Sequence, residues 1–548
     1  MSRRSIAILA PLLLIMYACS EPDPTPVPAP APAPVENVTS TPQLKHAADQ
    51  HFIFNNGAEP ETLDPALATG VTEHRLLEGL FEGLVCLHPA TLAPEPGVAK
   101  SWDISEDGLV YTFHLRDDAK WSDGKAVTAK DFSASWQRVL TATSGAEYAY
   151  QLFPVKNAEA FLRGDITDFA EVGVETIDDH TLRVTLHAPC PYFLDLCAFG
   201  TLAPVRMDVI QRHAERWTRP EHIITNGAFT LKAWVQRERV EMVPNEHYWD
   251  RENVSLARIT AYPFDDLDAA YSRYEAGGMQ WLSAVPIGKI EEVKRHPDYY
   301  VAPYLGSYFY RFNCTRPPFD NPTVRKALSL AVDRSVITDH ILKGGQIPAT
   351  WFCPTGTGDP GYQPVSGLAH DVTAARAALA EAGYPDGKGL GPIELLYNNS
   401  ESHKMVAENI AQQWNQALGI QVSLRNLEWQ VYLRSMNALD YQVMRSGWIG
   451  DYNDPNTFFD MFVTDGGNNR TGWSNARYDE LVRLAATERD PAARLGHFQE
   501  MERLLIEEEF PIMPIYIYVN QGLISEKVQG WHENVRDYHP LKYIWISE

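Results

Sequence analysis

Asp451 is the residue whose setting best suits chemistry: it follows the apolar run Tyr441 to Trp448 and lies between Trp448 and Tyr452. A carboxylate walled by aromatic rings suits a cationic ammonium, through a charge-assisted hydrogen bond and contact with the ring faces. Where water is excluded, such a bond contributes roughly 1.5–3 kcal/mol. The same residues allow a plainer reading, in which Asp451 forms a turn with Asn453, Asp454 and Pro455. From the residues alone the two readings stand level. Signatures of catalysis are missing. The chain has no G-x-S-x-G elbow, no H-E-x-x-H, no phosphate-binding Gly-Lys-Ser/Thr loop and no G-x-G-x-x-G after a strand. Gly387-Lys388-Gly389 lacks the Ser/Thr and the preceding glycine of a nucleotide loop, and His46 and His51 suit a solvated pair better than a metal site. The expectation is a binding protein with no catalytic residue, no metal and no cofactor.

The elements around Asp451 read as a β-α-β-α-β succession. Ile393 to Tyr397 has a strand pattern. A helix follows from about Ser402, with Val406, Ile410, Trp414 and Ala417 on one face and Gly419 just past its end, where a left-handed cap is wanted. Ile420 to Leu424 reads as a strand, Trp429 to Met436 as a helix and Tyr441 to Trp448 as another strand. This is the unit of an open α/β sheet, whose ligands bind beyond the carboxyl ends of the strands. The loop 450–455 sits at such an end. Elsewhere, Phe52 to Phe54 and Val110 to Leu115 read as strands. Thr128 caps a helix carrying Phe132, Trp136 and Val139, Asn321-Pro322 opens another, and Asp371 to Glu381 forms a third.

Composition narrows the class. The 548 residues are too many for one core, and 45% apolar content says globular. A formal charge of −24 argues against nucleic acid, which needs a basic face. Residues 1–19 look like an export signal: Arg3 and Arg4, a short apolar run from Ile6 to Met16, then Ala18-Cys19, similar to a bacterial lipoprotein processing site with Cys19 as the lipidated residue. Alternating Pro and Ala over residues 20–44 favours an extended spacer. Five further cysteines (86, 190, 197, 314 and 353) are an odd number without C-x-x-C spacing. Buried thiols are preferred over a Cys190–Cys197 bridge.

Further segments carry a family likeness. Trp121-Ser122-Asp123-Gly124-Lys125-Ala126-Val127-Thr128-Ala129-Lys130-Asp131-Phe132, followed by Trp136 and Arg138, resembles the signature of the oligopeptide-binding proteins of ABC importers, within extracellular solute-binding protein family 5. Asn55 to Pro65, Leu80 to Leu84, Thr225 to Phe229, Pro317 to Phe319 and Pro514 to Tyr518 are similar in the same order. The resemblance implies an α/β, two-lobed periplasmic-binding-protein clamshell, type II, with an extra inserted domain. Lobe 1 would be 45–303 with 82–207 inserted, lobe 2 would be 304–519, and 520–548 would return to lobe 1.

The resemblance also implies roles. Asp451 matches the anchor of a peptide α-ammonium, and Arg445 and His403 match cations that receive the terminal carboxylate. Trp429, Trp448 and Tyr148 match pocket walls, Gly447 and Val71 main-chain partners, and Tyr518 a ligand contact. Thr69, Arg311 and Met436 depart from family members that carry an acid, an acid and a base there. Gly306 and Ile449 stand where members can carry a bridging Cys pair. The expected partners are short peptides and ABC permease subunits, with the membrane met only through the lipid on Cys19 and no nucleic acid. The expected state is a monomer on the periplasmic or cell-surface side of the membrane. Dipeptides, murein peptides, nickel chelates and haem are the alternative ligands, and a lipoprotein hydrolase is the alternative class.

Overall fold

The computed structural model describes residues 45–548 apart from 359, 360 and 489. The export signal, Cys19 and the Pro-rich spacer lie outside the described residues.

The helix Glu401–Leu418 shows how local sequence builds the sheet around Asp451. Val406, Ile410, Trp414 and Ala417 are buried along one face. The Ser400 hydroxyl accepts the His403 N–H at 3.4 Å, and Gly419 closes the helix at φ +70°, a conformation that glycine adopts without strain. The helix connects the strand Ile393–Asn398 to a parallel neighbour, Val422–Leu427. The helix Trp429–Asn437 then leads to the strand Val443–Ile449, which lies on the other side of Ile393–Asn398, also parallel. Two of these strands start later than their patterns suggest. Ile420 is spent in the core ahead of its strand, with its carbonyl held by Asn415 Nδ2 at 3.2 Å. Tyr441 is likewise buried ahead of its strand, its hydroxyl donating to the Arg470 carbonyl.

Among the described residues the largest sheet has eleven strands. Its middle is a pair of long antiparallel strands, Tyr299–Phe312 and Ile512–Ile524. At one end Ile512–Ile524 pairs with Trp281–Leu282, leading to His51–Asn55, Arg258–Tyr262, Arg239–Pro244 and Phe229–Val235. At the other, Gly306 to Phe312 pairs with Val443–Ile449. The two long strands therefore connect a core around Phe54, Leu76, Phe229, Ile259 and Trp281 with a second around Tyr308, Val324, Ile410, Trp414 and Ile515. A third core lies under a separate four-stranded antiparallel sheet, ordered Ala99–Ile104, Val110–Leu115, Thr181–Thr185, Val174–Asp178.

The segments that carry the family likeness sit at the joints between these bodies. Arg138, on the helix Ala129–Val139, grips both oxygens of Asp64, Nη1 reaching Oδ1 at 2.9 Å and Nη2 bonding Oδ2. Asn226 exchanges two bonds with the backbone of Glu82, at 3.2 and 2.8 Å. The Ser122 N–H donates to the Thr225 carbonyl at 2.7 Å. At the start of the Arg138 helix the Asp131 carboxylate does the capping, taking both the N–H (2.8 Å) and the hydroxyl (3.0 Å) of Thr128. The joint sets an expectation. Arg138→Ala leaves the Asp64 carboxylate buried without its cation, which costs about 3–5 kcal/mol. The urea midpoint of this variant should fall well below that of the parent protein, and an unchanged midpoint would show that the joint carries no stability.

Among the described residues no helix is long and apolar enough to cross a membrane, and no cluster of His, Cys, Asp or Glu is placed to hold a metal ion. Cys86, Cys190, Cys197, Cys314 and Cys353 are free thiols.

Candidate functional site

Three parallel strands end at one place. The residues at or just past the end of each, 398–400, 428–430 and 450–451, line the same cavity of about 1030 Å³. The facing wall comes from 69–72 at the start of the helix Val71–Leu80, then from Tyr148, Phe199 and Gly200. The edge of the strand Val443–Ile449 gives the cavity its main-chain character. Ile393–Asn398 pairs with it only at Val443 and Met444, so the peptide groups of 445–449 have no sheet partner on that side. Its opposite edge is fully paired with Gly306 to Phe312.

Asp451 lies at the end of this edge and is 7% exposed. Its N–H donates to Thr457 Oγ1 at 3.0 Å, which turns the carboxylate into the cavity. The carboxylate accepts from Tyr148 Oη (3.3 Å), Gln151 Nε2 (3.3 Å) and Tyr150 Oη (3.5 Å), all on the short helix Glu147–Leu152. The two hydroxyl bonds are long against the ordinary 2.5–3.0 Å for O–H···O. Among the described residues no cation lies within ion-pairing distance. Burial pushes the carboxyl up to about 7, offset only in part by Arg536 and by the Gln151, Tyr148 and Tyr150 bonds.

Arg445 is the complementary charge, 9% exposed. Its Nη2 donates to Tyr518 Oη at 2.6 Å and Nη1 to Asn398 Oδ1 at 3.3 Å, and the guanidinium lies 4.7 Å from the Tyr308 ring. Its Nε is buried without a partner among the described residues, and no carboxylate pairs with it. Gly447 is small because Tyr518 Oη would stand 2.7 Å from any Cβ there. The cavity thus holds a buried carboxylate and a buried guanidinium, each without an opposite charge, at the two ends of one open strand edge.

Trp429, Trp448, Tyr148, Tyr518, Gly447 and Val71 also line this cavity. The Trp448 indole N–H is buried without a partner among the described residues, and Val71 is exposed. His403 stands apart. It occupies the first turn of its helix, its Nδ1 lies 3.4 Å from the Tyr308 hydroxyl, and it does not line the cavity. Burial and the neighbouring Arg445 hold its imidazole well below the usual range. Gly306 and Ile449 face one another across the sheet, the Ile449 side chain filling the space over the glycine.

Sequence reasoning missed Tyr150 and Gln151, although they flank Tyr148 closely, and it missed Asn398 and Tyr308 around Arg445. It also missed the ties across the cavity. Arg470 pairs with Glu147, Asn437 Nδ2 donates to Glu147 Oε1 at 3.1 Å, and Tyr192 stacks on Tyr452 at 4.4 Å.

Residues 93–470 match the profile described as bacterial extracellular solute-binding proteins, family 5 Middle. The chain is 36% identical to the periplasmic murein peptide-binding protein MppA of Escherichia coli, over 89% of this chain and 91% of that protein. It is 37% identical to the periplasmic oligopeptide-binding protein OppA of the same organism, over 88% and 90%. The crystal structure of Haemophilus influenzae OppA in complex with RPPGFSPFR superposes with a TM-score of 0.87 at 34% identity, covering 92% of this chain and 100% of that one. Two structures of MppA, both 34% identical, separate by conformation. One superposes at 0.88, over 92% of this chain and 99% of that one, and the unliganded open form at 0.65, over 93% and 99%. Identity and coverage being equal, the arrangement seen here is the one that differs from the open form. The fold is a two-lobed α/β clamshell, and the chain belongs to the bacterial extracellular solute-binding proteins, family 5.

Proposed function

We propose that this protein is an extracytoplasmic receptor that captures short peptides in extended form and delivers them to an ABC importer, held at the membrane by lipid on Cys19. One observation carries the reading: two unpaired buried charges of opposite sign terminate an open strand edge. A peptide is a zwitterion with a donor and acceptor at every residue, so it complements that arrangement. Laid antiparallel on 445–449, as strand addition does elsewhere, it pairs its backbone with the peptide groups of that edge, apart from the Arg445 carbonyl, which accepts from Tyr432 Oη. Its ammonium meets Asp451 and its terminal carboxylate meets Arg445. Six residues at about 3.3 Å each separate the two by no more than about 20 Å. The inward reach of both side chains shortens this to roughly three to five ligand residues. His403 would serve a longer ligand once a carboxylate arrived to favour its charged form. Trp429, Trp448 and Tyr148 would wall the side-chain pockets, and Val71 would add main-chain contacts from the facing lobe. In this reading residues 45–303 with 520–548 form one lobe, carrying 82–207, and 304–519 form the other.

A thermal-shift panel tests the proposal. Tri- to pentapeptides should raise the melting temperature, by about 2.7 kcal/mol of added stability at a hundredfold excess over Kd. Amidated and N-acetylated versions should give much smaller shifts. Equal shifts from free and blocked peptides would remove the two termini from recognition. Stabilisation by a nickel chelate or haem but by no peptide would replace the ligand class.

A further inference from the structure

Arg311 is another buried guanidinium on the cavity wall, 2% exposed. Its Nε donates to Ser446 Oγ and its Nη1 to the Asn468 carbonyl, both at 3.0 Å, and it lies over Phe309 and Phe462. Its Nη2 takes no acceptor among the described residues, and no carboxylate pairs with the group. Two other buried arginines show what a purely structural guanidinium looks like here. Arg325 is held by the carbonyls of Phe319, Glu509 and Phe510, and Arg334 by those of Pro514, Ser329 and Val332. Neither lines the cavity. Arg311 differs on both counts. Burial opposes its charge as it does that of Arg334, pulling each down to about 10, so what sets Arg311 apart is its place on the cavity wall and an Nη2 left free among the described residues. An uncompensated buried cation is costly unless a ligand supplies the anion.

The sheet register separates Arg311 from Arg445. Phe309 pairs with Ser446 and Arg311 with Met444, whereas Tyr310 pairs with Arg445. Alternation along the strands therefore puts Arg311, Ser446 and Trp448 on one face and Arg445 on the other. One terminal carboxylate does not serve both cations. Building on the peptide reading above, we infer that Arg311 receives a second carboxylate, carried by a ligand side group on the Ser446–Trp448 face, and makes this protein a receptor for acidic peptides.

Calorimetry at pH 8 on the purified protein tests this with Ala-Ala-Ala, its variants bearing Glu or Gln at each position in turn, and a γ-glutamyl-linked tripeptide. At one position Glu should bind about 10- to 100-fold more tightly than Gln, the low end of the range for close charge pairs in double-mutant cycles. Arg311→Met should bring that Glu/Gln ratio to within about threefold of one, and Arg311→Lys should keep part of it, which separates lost charge from lost structure. The γ-linked peptide distinguishes an α-linked acidic residue from a branched cell-wall type of carboxylate by which of the two depends more on Arg311. Tight binding of tri-alanine with no Glu/Gln preference anywhere, or a preference that survives Arg311→Met, overturns the inference and leaves the peptide reading intact. Failure of every peptide to bind overturns both.

Discussion

Asp451→Asn should reduce affinity for a free-amine tripeptide by about 30- to several-thousand-fold, the 2–5 kcal/mol typical of losing one partner of a buried, hydrogen-bonded charge pair. The substitution keeps the size of the side chain and its capacity to accept from Tyr148, Tyr150 and Gln151, so what it removes is charge. N-acetylating the peptide removes the opposite charge. The two losses should not add: once residue 451 is neutral, acetylation should cost little more, which is the coupling a double-mutant cycle measures. Stability should move the other way. Burial already disfavours the ionised carboxylate, so the ligand-free variant should melt no lower than the parent protein at pH 8. Calorimetric titration of both proteins with free and acetylated peptide measures these quantities. A loss below about threefold would mean that the ammonium is held elsewhere.

Local pattern made much of this region legible. The helix Glu401–Leu418 was readable because its four spaced apolar residues are all buried and its stop is a glycine at positive φ. The order strand, helix, strand, helix, strand placed the 450–455 loop at the carboxyl end of a sheet, which is where the cavity lies. What could not be read was anything set by distant register. The three side chains that approach Asp451 lie about 300 residues away in sequence. The open edge at 445–449 exists because Ile393–Asn398 pairs with only two residues of its neighbour, a register that composition does not encode. Arg311 was legible as a departure from its relatives, yet its place on the face opposite Arg445 follows only from cross-strand pairing. Arg138 illustrates the converse. Its motif was the plainest signal of kinship, and it works at an architectural joint with Asp64, outside the cavity.

Peptide binding should expel a proton from Asp451. In the closed cleft burial raises this carboxyl to about 7, whereas in the unfolded chain it titrates near its ordinary value of about 3.9. Between those limits the closed protein holds a proton that the unfolded chain does not, so its stability falls as pH rises from about 4 to about 7 and is level above. A bound ammonium reverses the preference, because it favours the charged carboxylate. Affinity for free-amine peptides should therefore be constant above about pH 7 and fall up to tenfold per unit below it, about 100-fold by pH 5. Titrations at pH 6 in buffers of different ionisation enthalpy should count close to one proton released. Other groups face the same region: Arg536, the Tyr148 and Tyr150 hydroxyls, and Asp460, whose buried carboxyl is held well above the usual range, with Asp451 adding to the effect. Burial and Arg445 disfavour the charged form of His403. Asp451→Asn isolates the linkage, since that variant keeps every neighbour and should release no proton. Affinities at pH 5 and pH 8 within about threefold of each other would place the ammonium on a group that is already ionised in the empty cleft.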